Sequence, residues 1–299
     1  MVKISVIIPH LNQPEDLARC LASLHEQTGS FDLVEIIVVD NGSRVMPTEV
    51  CAVWPDVTLL QELEPGPGPA RNLGVRHAVG EVFAFIDADC TAHPGWLSAI
   101  TAAMARAGHR ILGGDVRIPR GDHKTTMVEA YESIYAYRMK EYIAKQGFTG
   151  TGNLAVERDV MASVGPFGGL NIAEDRDWGR RATQKDFKTI YVEDMIIYHP
   201  ARSGFRELTV KWDRQISHDH AELRSPMDTV KWLIKAGLLI VSPIVEIGRM
   251  LTSDRVSGLR ERWLAFLCVI RIRLHRAWRM LTVLLAKDAR AHSNAWNRD

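Results

Sequence analysis

Short β-branched and apolar runs alternate with segments of helical periodicity through the first two hundred residues. Lys3–Ile8 reads as a strand. Pro14–Thr28 then places Leu17, Cys20, Leu21 and Leu24 at helical spacing, with Glu15 and Asp16 in its first turn. A second β-branched run, Val34–Val39, ends in Asp40-Asn41-Gly42-Ser43, a turn by composition. Val57–Leu60 predicts a third strand, Ala70–His77 a short helix, and Val82–Ile86 a continuous apolar strand running into Asp87-Ala88-Asp89. This alternation predicts an α/β fold with a mostly parallel, buried central sheet. Asp40 and Asp87–Asp89 then fall at the C-terminal strand ends, where such sheets take ligands. Beyond Arg117 the pattern loosens. Met127–Lys145 predicts a helix carrying Tyr131, Tyr135, Tyr137 and Tyr142, and Gly147–Gly152 follows it. Past about Gly204 the chain reads as helical, basic and apolar, so the expected division is a domain over 1–205 and a helical region over 206–299.

With 46% hydrophobic and 24% charged residues, the 299-residue chain has the composition of a folded protein. Its 37 basic and 36 acidic residues nearly cancel, which gives no electrostatic case for nucleic-acid binding. They are unevenly spread: residues 1–205 carry 20 Lys/Arg against 26 Asp/Glu, net −6, and residues 206–299 carry 17 against 10, net +7. Cys20, Cys51, Cys90 and Cys268 are too scattered for a disulfide framework or a structural zinc site. Met1–Leu11 reads as a strand rather than an export signal, which predicts a cytoplasmic location.

Asp87 and Asp89 are two apart, so a strand continued through them would turn both carboxylates to one side. Two hard oxygen ligands there suit Mg²⁺ or Mn²⁺ bridging a diphosphate, although an Asp-x-Asp by itself is as often a solvated turn. It has company. Val6-Ile7-Ile8-Pro9-His10-Leu11-Asn12, Val38-Val39-Asp40-Asn41-Gly42-Ser43, Gly68-Pro69-Ala70-Arg71-Asn72-Leu73-Gly74 and Ala173-Glu174-Asp175-Arg176-Asp177-Trp178 stand in order around Phe85-Ile86-Asp87-Ala88-Asp89. Together these five stretches resemble the family 2 glycosyltransferases of the GT-A fold, over about residues 3–202. Thr151-Gly152-Asn153-Leu154-Ala155 and Tyr198-His199-Pro200-Ala201-Arg202 add to the likeness.

The resemblance implies an inverting transferase. Its donor would be a nucleoside-diphosphate sugar, with a UDP-sugar as the default, and its cofactor Mn²⁺ or Mg²⁺. Pro9, Asn12 and Asp40 would line the nucleoside pocket, Asp40 by accepting from the base. Arg71 would lie near base or diphosphate, Asp87 would approach the ribose across Ala88, and Asp89 would coordinate the metal, with His199 completing the metal or diphosphate contacts. Asp175 would be the catalytic base, and Asn153, Glu174 and Trp178 would shape the acceptor side.

The chemistry asks for these residue types independently of the name. A departing diphosphate needs its charge neutralised, and an acceptor hydroxyl attacking the anomeric carbon must give up its proton to a carboxylate. Each residue also has a plainer reading: Glu174, Asp175 and Asp177 as first-turn acids paired with Arg180 and Arg181, Asp40 as a turn cap, Arg71 as a partner of Glu62 or Glu64, and His199 as an ordinary satisfied histidine. His218 and His220 diverge on a helix and do not read as a zinc pair. Gly66-x-Gly68 lacks the third glycine of a dinucleotide site and is crowded by Pro65, Pro67 and Pro69. Leu11 stands where many family members carry an aromatic residue, and no Gln-x-x-Arg-Trp follows Asp175, which points away from a processive polysaccharide synthase.

In the C-terminal region the uncharged run Ala236–Val245 is ten residues long, against the roughly 20 needed to span a bilayer. From Trp263, apolar residues recur at Phe266, Leu267, Ile270, Leu274, Trp278, Leu281 and Leu285, with Arg262, Arg273, Arg276 and Lys287 mainly opposite. Such a helix either packs on protein, including a second copy of the chain, or lies at an anionic membrane surface over a lipid-linked acceptor. The expectation is therefore a peripheral enzyme at the inner face of the membrane, acting in polysaccharide or glycolipid synthesis. A sugar nucleotidyltransferase, or a non-catalytic nucleotide-sugar-binding scaffold, is the alternative.

Overall fold

The computed structural model describes residues 2–170, 172–221 and 223–285. They divide into two compact units, one within 2–119 and 137–200, the other within 120–136 and 201–285.

The first unit begins β1 (Lys3–His10), α1 (Pro14–His25), β2 (Asp32–Asp40), α2 (Thr48–Ala52), β3 (Val57–Gln61), α3 (Pro67–His77) and β4 (Val82–Ile86). It continues with a two-residue β5 (Thr91–Ala92), α4 (Trp96–Met104) and β6 (Ile111–Arg117). After the excursion carrying α5 (Met127–Tyr135) come α6 (Met139–Gln146), β7 (Asn153–Glu157), α7 (Arg158–Val164), α8 (Glu174–Gln184) and β8 (Thr189–Tyr198). The sheet order is β3-β2-β1-β4-β7-β6-β8-β5. The first four strands in this order are parallel, while β7 runs antiparallel to both β4 and β6. The predicted parallel sheet is thus one half of a mixed one.

Strand alternation splits the core in two. Val82, Ala84 and Ile86 turn to the face covered by Leu17 and Leu21 of α1 and Trp96 and Ile100 of α4. Phe83 and Phe85 turn to the other, against Ala70 of α3, Val160 and Val164 of α7, and Trp178 of α8. Helix α3 starts at Pro67, three residues before the predicted start, because proline is tolerated in a first turn whose N–H groups have no helical partner. A Cβ on Gly68 would lie 2.0 Å from the Gly168 carbonyl oxygen, so that position must stay bare for the chain before α8 to pass. The predicted helix over 127–145 is two helices, interrupted at Ala136–Arg138, where Arg138 leaves helical geometry (φ −101°, ψ 56°).

The second unit holds α5, α9 (Phe205–Ala221), α10 (Pro226–Val241), a 3-10 turn (Ser242–Ile244), α11 (Ile247–Thr252) and α12 (Gly258–Leu285). Helix α12 is its mast. It buries Ala265 against Ala130 and Met250, Cys268 and Ile272 against Tyr131 and Leu208, and Ala277 and Met280 against Trp232 and Leu239. Of the apolar face read from sequence, Trp263, Leu274, Trp278 and Leu281 are exposed and Phe266, Leu267 and Ile270 half-buried; the small side chains of Ala265, Cys268 and Ala277 admit neighbouring helices more closely on the other face. Lys287 and the side chains of Leu285 and His218 lie outside the described residues. Among the described residues no helix is long and apolar enough to cross a membrane.

Candidate active site

Strands β1, β2 and β3 run in register to His10, Asp40 and Gln61, and β4 ends beside them at Ile86. This edge of the parallel half carries most of the predicted residues in three clusters.

The first joins the ends of β1 and β2. The Asp40 carboxylate is fully buried and accepts from His10 Nδ1 (3.0 Å), Ser43 Oγ (2.5 Å) and the Gly42 and Ser43 N–H groups (3.2 and 3.0 Å). His10 Nε2 accepts the Gln13 N–H at 3.2 Å, which puts the ring proton on Nδ1, facing Asp40. Asn12, in the left-handed region at φ 56°, accepts the Arg44 N–H and donates its own N–H to Ser43 Oγ. Pro9 sits half-buried in β1 opposite Val39. The direct acceptance from a base that was expected of Asp40 is corrected by this geometry: its lone pairs are spent on its own turn, so it shapes the loop that would meet the base.

The second cluster hangs on Arg71 of α3. Its guanidinium is buried, donating from NH2 to Asp87 Oδ1 at 2.5 Å and from NH1 to Glu174 Oε1 at 3.2 Å. Neither Glu62 nor Glu64 is its partner; Glu62 pairs with Arg76. Arg71 therefore ties the end of β4 to the first turn of α8, while its buried Nε has no hydrogen-bond partner among the described residues. Glu174 is spent on that tie rather than on an acceptor. Asp175, next in α8, accepts only the Arg176 N–H among the described residues, whereas Asp177 is held by Arg181 at 2.8 Å. The Asp87 carboxylate fits because residue 152 is glycine: a Cβ there would stand 2.3 Å from Asp87 Oδ2.

The third cluster forms across 110 residues of sequence. Strand β4 stops at Ile86, and Asp87–Cys90 is a turn closed by the Cys90 N–H on the Asp87 carbonyl (3.0 Å). Strand alternation is lost there, and the two carboxylates take different partners, Asp87 with Arg71 and Asp89 with His199. Asp89 reaches His199 Nε2 at 3.3 Å, with Ala88 buried between the two acids. Asp89, Cys90 and His199 place an oxygen, a sulfur and a nitrogen within 4.8 Å of one another. Burial alone would raise the Asp89 carboxyl, but the hydrogen bond and charge of His199 hold it below its usual value. Burial would likewise lower His199, and Asp89 raises it instead. Burial and the charges of Asp87 and Asp89 push the Cys90 thiol well up. An oxygen and a nitrogen donor from Asp89 and His199 fit Mn²⁺ better than the all-oxygen preference of Mg²⁺.

Two predicted residues are not in the site. Asn153 is buried, accepting from Trp96 Nε1 and donating to the carbonyls of Asp115 and Met195. Trp178 is buried against Phe167, with Nε1 on the Gly165 carbonyl. Both brace the fold instead of facing an acceptor; short-range pattern does not tell a buried polar brace from an exposed one. His10, Cys90, Gly152 and Tyr137, whose ring lies 5.0 Å from that of His199, were not singled out from sequence. Adjacency to Asp89 and to the Pro9–Asn12 stretch was the available signal for Cys90 and His10.

An open α/β sheet with polar turns beyond its C-terminal strand ends belongs to the class of folds that bind ligands at that edge. Residues 5–164 match the profile of Glycosyl transferase family 2, and the chain belongs to that family. It is 35% identical over 216 residues to glycosyltransferase AglE of Haloferax volcanii, covering 70% of each chain. Further curated glycosyltransferases match over 90 to 259 residues, the chain spanning between 13% and 54% of their length. Among solved structures, the mannosyltransferase PcManGT of Pyrobaculum calidifontis, in complex with GDP-Man and Mn²⁺, superposes with a TM-score of 0.58 at 17% identity, over 94% of this chain and 86% of that one. TarS 1–349 of S. aureus, in complex with UDP-GlcNAc, superposes with a TM-score of 0.50 at 17% identity, over 95% of this chain and 91% of that one. These likenesses establish the GT-A fold. The protein is a glycosyltransferase.

Proposed function

We propose that the protein transfers a sugar from a nucleoside diphosphate to an acceptor hydroxyl with inversion at the anomeric carbon. The observation that carries this reading is the meeting, at one edge of the sheet, of the Asp87–Cys90 turn with His199 and, through Arg71, with the acidic first turn of α8.

Pro9, Asn12 and the loop held by Asp40 form the nucleoside wall, and Asp87, fixed by Arg71, takes the ribose. Asp89 and His199 hold the Mn²⁺, or Mg²⁺ in its place, whose charge stabilises the departing diphosphate. His199 must release its proton to serve as a ligand. Asp175 receives the acceptor's proton, a role worth on the order of 10² to 10⁴ in rate. Its carboxylate is free of the salt bridges that occupy Glu174 and Asp177, which suits it to that task.

Residues 1–205 form the catalytic part in this reading. Residues 206–299 attach it to an anionic membrane surface on the cytoplasmic side, where a lipid-linked acceptor in polysaccharide or glycolipid synthesis receives one or a few sugars. The thermal unfolding of the chain with UDP, GDP, dTDP and CDP, each with and without Mn²⁺, tests the donor assignment. A metal-dependent rise with UDP is expected; a rise with another base corrects the donor alone, and no rise with any of the four overturns the reading.

A further inference from the structure

Most exposed large apolar side chains of this protein belong to the second unit, and they concentrate from α10 to α11: Leu238, Val241, Ile244, Val245 and Leu251 are between 57% and 83% exposed. Helix α10 buries one narrow stripe, Trp232, Ala236 and Leu239, against α12. At 100° per residue, its exposed apolar positions from Ile240 round to Leu238 cover about 160° more. Lys231 and Lys235 take the face that remains.

An apolar arc this wide, beside a stripe already buried, is not the single seam a helix offers to one protein neighbour. A helix apolar nearly all round belongs in a core or in lipid, and only one stripe of this one is in a core. A fluid medium can envelop three sides of a helix; a second folded copy meets one. The sixteen residues of α10 also fall short of the roughly 20 that a span requires. Lys231 beside the arc suits the phosphates of a headgroup layer, while Lys235 and Arg249 pair with Asp219 and Glu246.

We infer that the C-terminal half of α10, the 3-10 turn and α11 insert as a short wedge into one leaflet of a phospholipid bilayer, so that the protein is held by apolar burial and not only by charge. The inference deepens the membrane reading above and rests on it. It moves the contact from the Trp–Arg helix that the sequence suggested to an element chosen by exposure.

Flotation of the full chain with vesicles tests it, using phosphatidylcholine alone and phosphatidylcholine with phosphatidylglycerol. Binding to both is expected, and it survives about 1 M salt, where charges are screened within roughly 3 Å. Replacing Leu238, Val241 and Ile244 together by Glu lowers the partition coefficient about a hundredfold or more. Because these side chains touch solvent, the variant keeps its circular dichroism and its nucleotide-dependent stabilisation. Binding that requires anionic lipid and vanishes in high salt overturns insertion in favour of adsorption. A wild-type chain that ignores vesicles but is a dimer by light scattering, and becomes a monomer in the variant, assigns the wedge to a second copy and also overturns it. Nucleotide-induced stabilisation is read without lipid, so failure of the donor assignment is seen separately.

Discussion

Replacing Gly152 by alanine places a methyl group where the Asp87 carboxylate now lies. The new Cβ would stand 2.3 Å from Oδ2 and 2.8 Å from Cγ, while ordinary contact begins at 3.4 Å. The carboxylate must retreat by about 1 Å, against the 2.5 Å ion pair that ties it to Arg71. Misplacement of this size at a binding or reacting group costs about a hundredfold in rate, or about 2.7 kcal/mol in transition-state free energy. The cost to folding is smaller, because the Asp87 side chain is 37% exposed and water can serve the displaced oxygen. Initial rates over a range of donor concentrations, with circular dichroism alongside, separate the two. The expected result is a fall in kcat/KM of about two orders of magnitude in a folded protein. Gly204→Ala, where a Cβ meets nothing within 4 Å, serves as the control. A Gly152→Ala enzyme with wild-type kcat/KM would show that the position of Asp87 does not matter to the reaction, and the site as described would be wrong.

Two other perturbations probe separate parts of the account. His10→Ala leaves the buried Asp40 with three hydrogen bonds in place of four and loosens the nucleoside loop. Calorimetry should find the nucleotide Kd raised about tenfold, with kcat changed much less. In the second unit, burial would raise the Glu261 carboxyl, but Arg120, Thr125 and the Ser257 N–H outweigh it and hold the group down to about 2. A carboxyl lowered on folding lends stability that is complete above its unfolded value of 4.5 and is lost as pH falls towards about 2. Acid titration of the helical signal should show that loss, and Glu261→Gln should flatten it.

Strands β1 to β4 and helices α1 and α3 were legible because each follows from local pattern, whereas α4, β6, β7 and β8 were not read from it. Val82–Ile86 is apolar throughout, and it is a strand with both faces buried. The limits of local pattern appear where a neighbour distant in sequence decides. Asp87 and Asp89 look like a strand pair, yet Arg71 draws one away and His199 the other. Asn153 and Trp178 carry polar groups that sequence offers to an acceptor and tertiary packing spends on carbonyls. On α12 two apolar faces compete: the large side chains of one stand out in its periodicity, while the alanines and cysteine of the other permit the close packing that buries it. The site's composition could be read from the chain, but its wiring needed the fold.

The most direct test of the central claim is the turnover of Asp175→Asn, measured with donor binding in the same preparation. The substitution is isosteric and removes no ion pair of Asp175 among the described residues. If Asp175 takes the acceptor's proton, kcat falls on the order of 10² to 10⁴, while metal-dependent stabilisation by the nucleotide is unchanged. Near-normal turnover would contradict the assignment, and with it the placing of catalysis at the first turn of α8.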